Sequence, residues 1–161
     1  YTGQRYSDFS RIGPEHIVEH KGQKVLALTT QKTDQTVYIP FLPVLDAVLK
    51  KYDYQAPKLS NQKFNSYLKE LGRMAGFTKE VVVNKTDGGT RREVKICFCD
   101  LLTTHVARRS FATNYYLKYP QLINNIMKIT GHATERMFRA YIVADALESA
   151  VDFAAAVSGN P

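Results

Sequence analysis

A chain of 161 residues, 44% of them hydrophobic, can bury one core of ordinary size, so a single domain is expected. No apolar run approaches the length of a membrane span, which argues against a membrane-embedded protein, and no basic-apolar-small segment opens the chain. The net charge of +7 is unevenly spread: residues 50–109 carry 13 of the 22 basic side chains and 6 of the 15 acidic ones, while the remainder is neutral, a distribution that favours a polyanionic partner.

The first element predicted is a short helix over 6–12, with Ser7 as N-cap and Asp8 in its first turn. Three β-like runs follow at 16–19, 24–30 and 36–39, joined by turns at Lys21-Gly22 and at 31–35. Val25, Ala27 and Thr29 alternate with Leu26, Leu28 and Thr30, so the middle strand reads as apolar on both faces. Helical spacing returns over 42–51, through Leu42, Leu45 and Leu49. It recurs over 61–75, through Phe64, Leu68 and Leu71, with Gly76 as the stop.

Runs at 81–84 and 92–98 flank Asp87-Gly88-Gly89, a strong hairpin signal. From Thr104 the chain reads as helical to its end, broken at Tyr119-Pro120 and at Gly131. The class expected is α+β: a mostly helical body with a small antiparallel three-stranded sheet and an extra β-hairpin.

Cys97 and Cys99 are two apart, where they would share a strand face. That spacing strains a disulfide, and no second pair completes a zinc site, so two reduced thiols are expected. His16 and His20 are four apart in a β-like stretch without a third ligand, and no glycine loop of phosphate-cradling pattern occurs. Neither a metal nor another cofactor is expected.

The chemistry concentrates between Thr103 and Tyr141. His105 and Arg108 are three apart and share a face at the start of a helix, where free amides and the helix dipole also favour an anion. Arginine offers a donor fork that matches a phosphate, and histidine exchanges protons near neutrality. Gly131-His132 ends one helix, glycine suiting the left-handed cap, and Tyr141 follows nine residues later at a helical position. A phenol needs activation to act as a nucleophile, which neighbouring arginines and a proton acceptor supply. Arg5 precedes the first short helix, and Lys32 stands in the turn between two strands. Taken singly, each has a bland reading: a capping histidine, a core or rim tyrosine, solvated basic residues.

Together they resemble the catalytic domain of tyrosine recombinases, the phage-integrase family, including integrases of mobile and conjugative elements. The resemblance runs the length of the chain in order. An arginine follows a glycine turn, a lysine sits on a β-hairpin, and His-x-x-Arg-x-Ser-Phe-Ala-Thr opens a helix. Gly-His comes next, then a tyrosine nine residues on. It implies that Arg5 and Arg108 clamp the phosphate, that Lys32 is the general acid for the 5′ oxygen and that His105 assists proton transfer. It further implies that His132 bonds a non-bridging oxygen and that Tyr141 is the nucleophile of a 3′-phosphotyrosyl intermediate, with no metal or ATP.

Thr130 departs from the leucine more usual before Gly-His. Arg109, Lys85, Arg91, Arg92 and Lys95 are weaker candidates for contacts to the DNA backbone, a solvated charged edge being the alternative for the hairpin. The implied partners are double-stranded DNA and further copies of the chain, as a tetramer on paired sites. The implied setting is the bacterial cytoplasm, associated with the nucleoid. The start at Tyr1 leads to the expectation of a catalytic domain over 1–161 whose N-terminal core-binding domain is absent from the fragment. The apolar stripe of Ala146, Leu147, Ala150, Val151, Ala154 and Val157 would pack on its own core or on a neighbouring protomer. Two other classes stay open: relaxation of the type IB topoisomerase kind, and a DNA-binding module without catalysis.

Overall fold

Leu26 and Leu28, alternate residues of one strand, are fully buried in the computed structural model, which describes residues 1–142. They belong to β2 (Gln23–Thr29), which pairs antiparallel with β1 (Ile17–His20) on one side and β3 (Thr36–Pro40) on the other. Val37 and Ile39 of β3 point to the same side, and Leu45 and Leu49 of α2 (Pro43–Lys51) close over them with Ile12. Each such side chain contributes about 1.5–3 kcal/mol by leaving water. Val25 and Ala27 are only half-buried and Thr29 is exposed, so β2 has one core face, not the two expected.

A second core joins α4 (Thr104–Lys118), α5 (Ile123–Thr130) and α6 (Glu135–Arg139) through Ala112, Ile126 and Phe138. Helix α5 also lies against β3, and this contact fastens the helical half to the sheet. The breaks fall at the residues expected. Tyr119 caps α4 ahead of a 3-10 turn at Pro120–Leu122, and Gly131 ends α5 in the left-handed region at φ +66°.

Several boundaries differ from the sequence reading for visible reasons. Helix α1 spans only Tyr6–Phe9, and its N-cap is Arg5; Ser7 lies inside it. His16 belongs to a 3-10 turn, where its Nδ1 accepts from the Gly13 amide, so strand β1 starts one residue later. In α3 (Asn61–Met74) Leu71 is 58% exposed, and the buried position is Gly72, packed on Cys99 and Leu102. Helical spacing selected the larger residue, but the close approach of the segment after the hairpin needs the smaller one. That hairpin, β4 (Glu80–Asp87) with β5 (Thr90–Cys97), forms its own two-stranded sheet. Cys97 ends β5 whereas Cys99 sits in the following 3-10 turn, so the pair does not share a strand face. The apolar tail stripe from Ala146 to Val157 lies outside the described residues.

Candidate active site

Two capped helix starts and one glycine turn position the site. Thr103 caps α4 by accepting from the Val106 amide, and Asn65 Oδ1 accepts from the Thr104 amide at 2.9 Å. The α4 amides expected to hold an anion are thus partly engaged by the protein itself, and the side chains of the first two turns carry the charge. Arg108, one turn into α4, is only 1% exposed. Its Nη1 donates to the Gly3 carbonyl at 2.7 Å, and its Nη2 lies 3.3 Å from His132 Nε2. Gly3 can present that carbonyl because φ is +66° there, and a methyl group on it would come 2.6 Å from the Phe111 ring. Gln4 holds the same turn down, its Nε2 donating to the Ile129 carbonyl at 2.6 Å.

Arg5 follows directly and faces Asp8, Nη1 to Oδ2 at 3.9 Å. Asp8 is fully buried; its Oδ1 accepts from the Gln31 amide at 2.9 Å, with Arg11 Nη2 at 3.5 Å. One carboxylate therefore orients Arg5 and pins the β2–β3 turn that carries Lys32. Arg5, His105 and Arg108 line one cleft of about 280 Å³ together with Tyr6, Ser7, Asn61 and Thr104.

Tyr141 stands in the turn after α6, whose N-terminus is capped by Thr134; its amide donates to the Phe138 carbonyl at 2.8 Å. It is not at a helical position, as the spacing had suggested. Its ring lies 4.6 Å from that of His132 and 5.2 Å from that of His105, with the Arg108 guanidinium carbon 5.6 Å from its centroid. Phe138, fully buried, meets His132 edge-on at 5.5 Å and backs that ring. The structure thus gathers Arg108, His132, His105 and Tyr141, with Arg5 sharing the cleft of His105 and Arg108.

The charges here are unbalanced. Burial, and then the nearby Arg108 and Arg5, lower the His132 pKa to about 4. Burial, Arg109, Arg108 and Arg5 also lower that of His105. Burial, followed by Arg5, lowers even the Arg108 guanidinium, while Tyr141 and Asp8 oppose the shift. Arg108 Nε and Arg5 Nη1 are buried donors without a hydrogen-bond partner among the described residues. Asp8 is the carboxylate that faces these two arginines, at 3.9 Å from Arg5 Nη1, so the cleft keeps donor capacity and positive charge that can receive an anion.

Not every candidate joins this group. Lys32 is exposed on its turn and makes no hydrogen bond or ion pair among the described residues. Arg109 is half-buried and acts on His105 only through its charge. Lys85, Arg91, Arg92 and Lys95 are exposed on the hairpin and do not line the cleft. Sequence reasoning missed Asp8 as a buried anchor, the Gly3 carbonyl and the Thr130 hydroxyl, which lies 2.7 Å from His132 Nδ1. Of these, only the glycine before Arg5 left a recognisable signal.

Away from the cleft, Cys97 and Cys99 bring their sulfurs to 2.7 Å, and with Asp100 they form a group of ligand-type atoms the sequence reading did not foresee. Arg73 already pairs with the Asp100 carboxylate.

No family model matches the chain, and no curated protein matches it. Solved structures do. A XerH site-specific recombinase bound to palindromic difH substrate, in a post-cleavage complex, superposes with a TM-score of 0.65 at 16% identity, over 99% of this chain and 43% of that one. XerH bound to difH substrate in a pre-cleavage complex gives a TM-score of 0.60 at 18% identity, over 100% and 44%. The chain spans less than half the length of these recombinases and has the fold of a tyrosine-recombinase catalytic domain.

Proposed function

We propose that the chain is the catalytic domain of a site-specific DNA recombinase that breaks and rejoins strands through Tyr141. The observation that carries this is the convergence on one tyrosine of two histidines and a buried arginine, beside buried guanidinium nitrogens of Arg5 and Arg108 that make no hydrogen bond among the described residues. The likeness in fold to a recombinase solved on its DNA supports the same reading.

In the reaction proposed, the Tyr141 oxygen attacks a phosphodiester phosphorus. A tyrosyl–phosphorus bond forms as the bond to the 5′ oxygen breaks. Arg5, Arg108 and a protonated His132 stabilise the charge that builds on the non-bridging oxygens. His105 receives the phenolic proton, and Lys32 reaches in from its turn to protonate the departing 5′ oxygen. The 3′-phosphotyrosyl link conserves the bond energy, so a 5′ hydroxyl from a second duplex reverses the step and completes strand exchange. Neither ATP nor a metal enters this sequence. Lys85, Arg91, Arg92, Lys95 and Arg109 add contacts to the DNA backbone. Strand exchange calls for paired DNA sites, a tetramer and a further DNA-gripping domain. Integration or excision of a mobile element in a bacterial cytoplasm is the setting this chemistry fits; no described helix is long and apolar enough to cross a membrane.

The test is covalent trapping. Wild type and Tyr141→Phe are incubated in EDTA with nicked duplexes whose cleaved fragment diffuses away, then resolved in SDS. An adduct with wild type alone is expected. An adduct with Tyr141→Phe reassigns the nucleophile, and relaxation of plasmid without recombinant products moves the reading to a topoisomerase. Binding without any adduct, persisting when the upstream domain is supplied, leaves a non-catalytic module.

A further inference from the structure

Thr130 is fully buried, and its hydroxyl touches three polar atoms: the Ile126 carbonyl at 2.8 Å, the Met127 carbonyl at 3.3 Å and His132 Nδ1 at 2.7 Å. A hydroxyl has one proton, and carbonyls can only accept. When that proton goes to Ile126, the lone pair left on the oxygen requires a proton on Nδ1. The other ring nitrogen is constrained independently. Nε2 faces Arg108 Nη2 at 3.3 Å, and a guanidinium can only donate, so Nε2 must offer a lone pair. The opposite tautomer would set an N–H against an N–H inside the cluster. Arg108 demands this state, and the Thr130 hydroxyl meets it by donating to the Ile126 carbonyl and accepting from Nδ1.

We infer that Thr130 is a positioning residue that fixes His132 as its Nδ1–H tautomer, so that in the resting protein His132 accepts from Arg108 and holds its donor fork in place. An apolar residue at position 130 would leave the Nδ1 proton buried without an acceptor, so that the contact with Arg108 alone would oppose the other tautomer. A consequence follows for the reaction proposed above, on which this part rests. Neutral His132 has no proton at Nε2 to give to a phosphate oxygen. It first orients Arg108 and donates only after Nε2 gains a proton, which a bound phosphate favours and which burial, Arg108 and Arg5 oppose in its absence.

The experiment compares wild type, Thr130→Ser and Thr130→Val, the last close to threonine in shape but without the hydroxyl. Nitrogen NMR of His132 in the free protein at neutral pH shows which ring nitrogen carries the proton. Wild type and Thr130→Ser are expected to show a protonated Nδ1 and a bare Nε2, and Thr130→Val to lose that pattern. Single-turnover cleavage should fall about ten- to hundred-fold in Thr130→Val, the usual cost of losing a group that orients another, and recover in Thr130→Ser, with DNA affinity little changed. A protonated Nε2 in wild type overturns the inference, as does a Thr130→Val protein that keeps the wild-type signature and rate. Should Thr130→Val fail to fold, the wild-type and Thr130→Ser spectra still decide. If wild type does not cleave DNA, the recombinase reading fails, while the tautomer is still read from the free protein.

Discussion

The Gln31 amide donates to the buried Asp8 carboxylate at 2.9 Å, which ties the turn bearing Lys32 to the short helix that Arg5 caps. Bonds between Thr30, Asp34 and Gln35 close the turn itself, and the bond to Asp8 fixes it relative to α1. Asp8→Ala strands the Gln31 amide and leaves Arg5 and Arg11 without their carboxylate. The buried Arg5 Nη1 so stranded costs about 1–3 kcal/mol, the exposed Gln31 and Arg11 less, and urea melts should register the loss. Asp8→Asn keeps an acceptor for Gln31 while removing the charge that orients Arg5. It should lose less stability and a larger share of cleavage than Asp8→Ala would suggest from folding alone. A melt unchanged by Asp8→Ala would show that the carboxylate anchors nothing.

Stability should fall on acidification through a defined window. His132 titrates at about 4 in the folded protein, against an ordinary value of 6.5. Between those values the unfolded chain takes up a proton that the folded chain refuses, so unfolding is favoured as pH drops and the full stability is present above 6.5. His105 is shifted in the same direction and adds to the slope. His132→Gln should flatten the dependence of the melting temperature on pH across this window. An undiminished slope in that variant would place the protonation elsewhere.

Gly3→Ala tests whether the turn before Arg5 exists to hold Arg108. Alanine at φ +66° carries a backbone penalty of about 1–2 kcal/mol, and its methyl meets Phe111 at 2.6 Å, so the carbonyl that receives Arg108 Nη1 must move. Cleavage should fall well beyond the loss in stability, and DNA affinity should fall little, since one phosphate contact among many is disturbed. Equal losses in affinity and cleavage would assign Arg108 to DNA positioning only.

The sequence carried the elements and most of the constellation, because caps, glycine stops and hairpin turns are local signals. Thr103, Gly131 and Asp87-Gly88-Gly89 act where they stand in the chain. It carried less where distant segments decide. Leu71 has the right period but faces solvent, since Gly72 is what the Cys99 segment can approach. Asp8 reads as a first-turn acid until a turn more than twenty residues away donates to it. Thr130 is a local case, two residues from His132, but nothing in the spacing tells its hydroxyl from a packing substitution. Hydrogen bonds between segments far apart have no periodicity to betray them.

Hairpin β4–β5 yields a prediction that depends on its register. Lys85 lies directly opposite Arg92, and like charges so placed cost about 0.2–1 kcal/mol in the free protein. They share a face with half-buried Val81, Val83 and Ile96 and with exposed Val94, whereas Arg91 and Lys95 share the opposite face with exposed Val82. Lys85 and Arg92 therefore lie on the less exposed face, and DNA held on that face would meet them first. Neutralising both as glutamine should leave the melt unchanged or slightly raised. It should also reduce the slope of log affinity against log salt by about 1.8, the release expected for two phosphate contacts. The cleavage rate of bound DNA should hold, because neither residue lines the cleft. Arg91→Gln with Lys95→Gln should move the slope less. A slope indifferent to Lys85 and Arg92 would leave the hairpin a solvated edge, and a larger effect from Arg91 and Lys95 would turn the DNA to the other face.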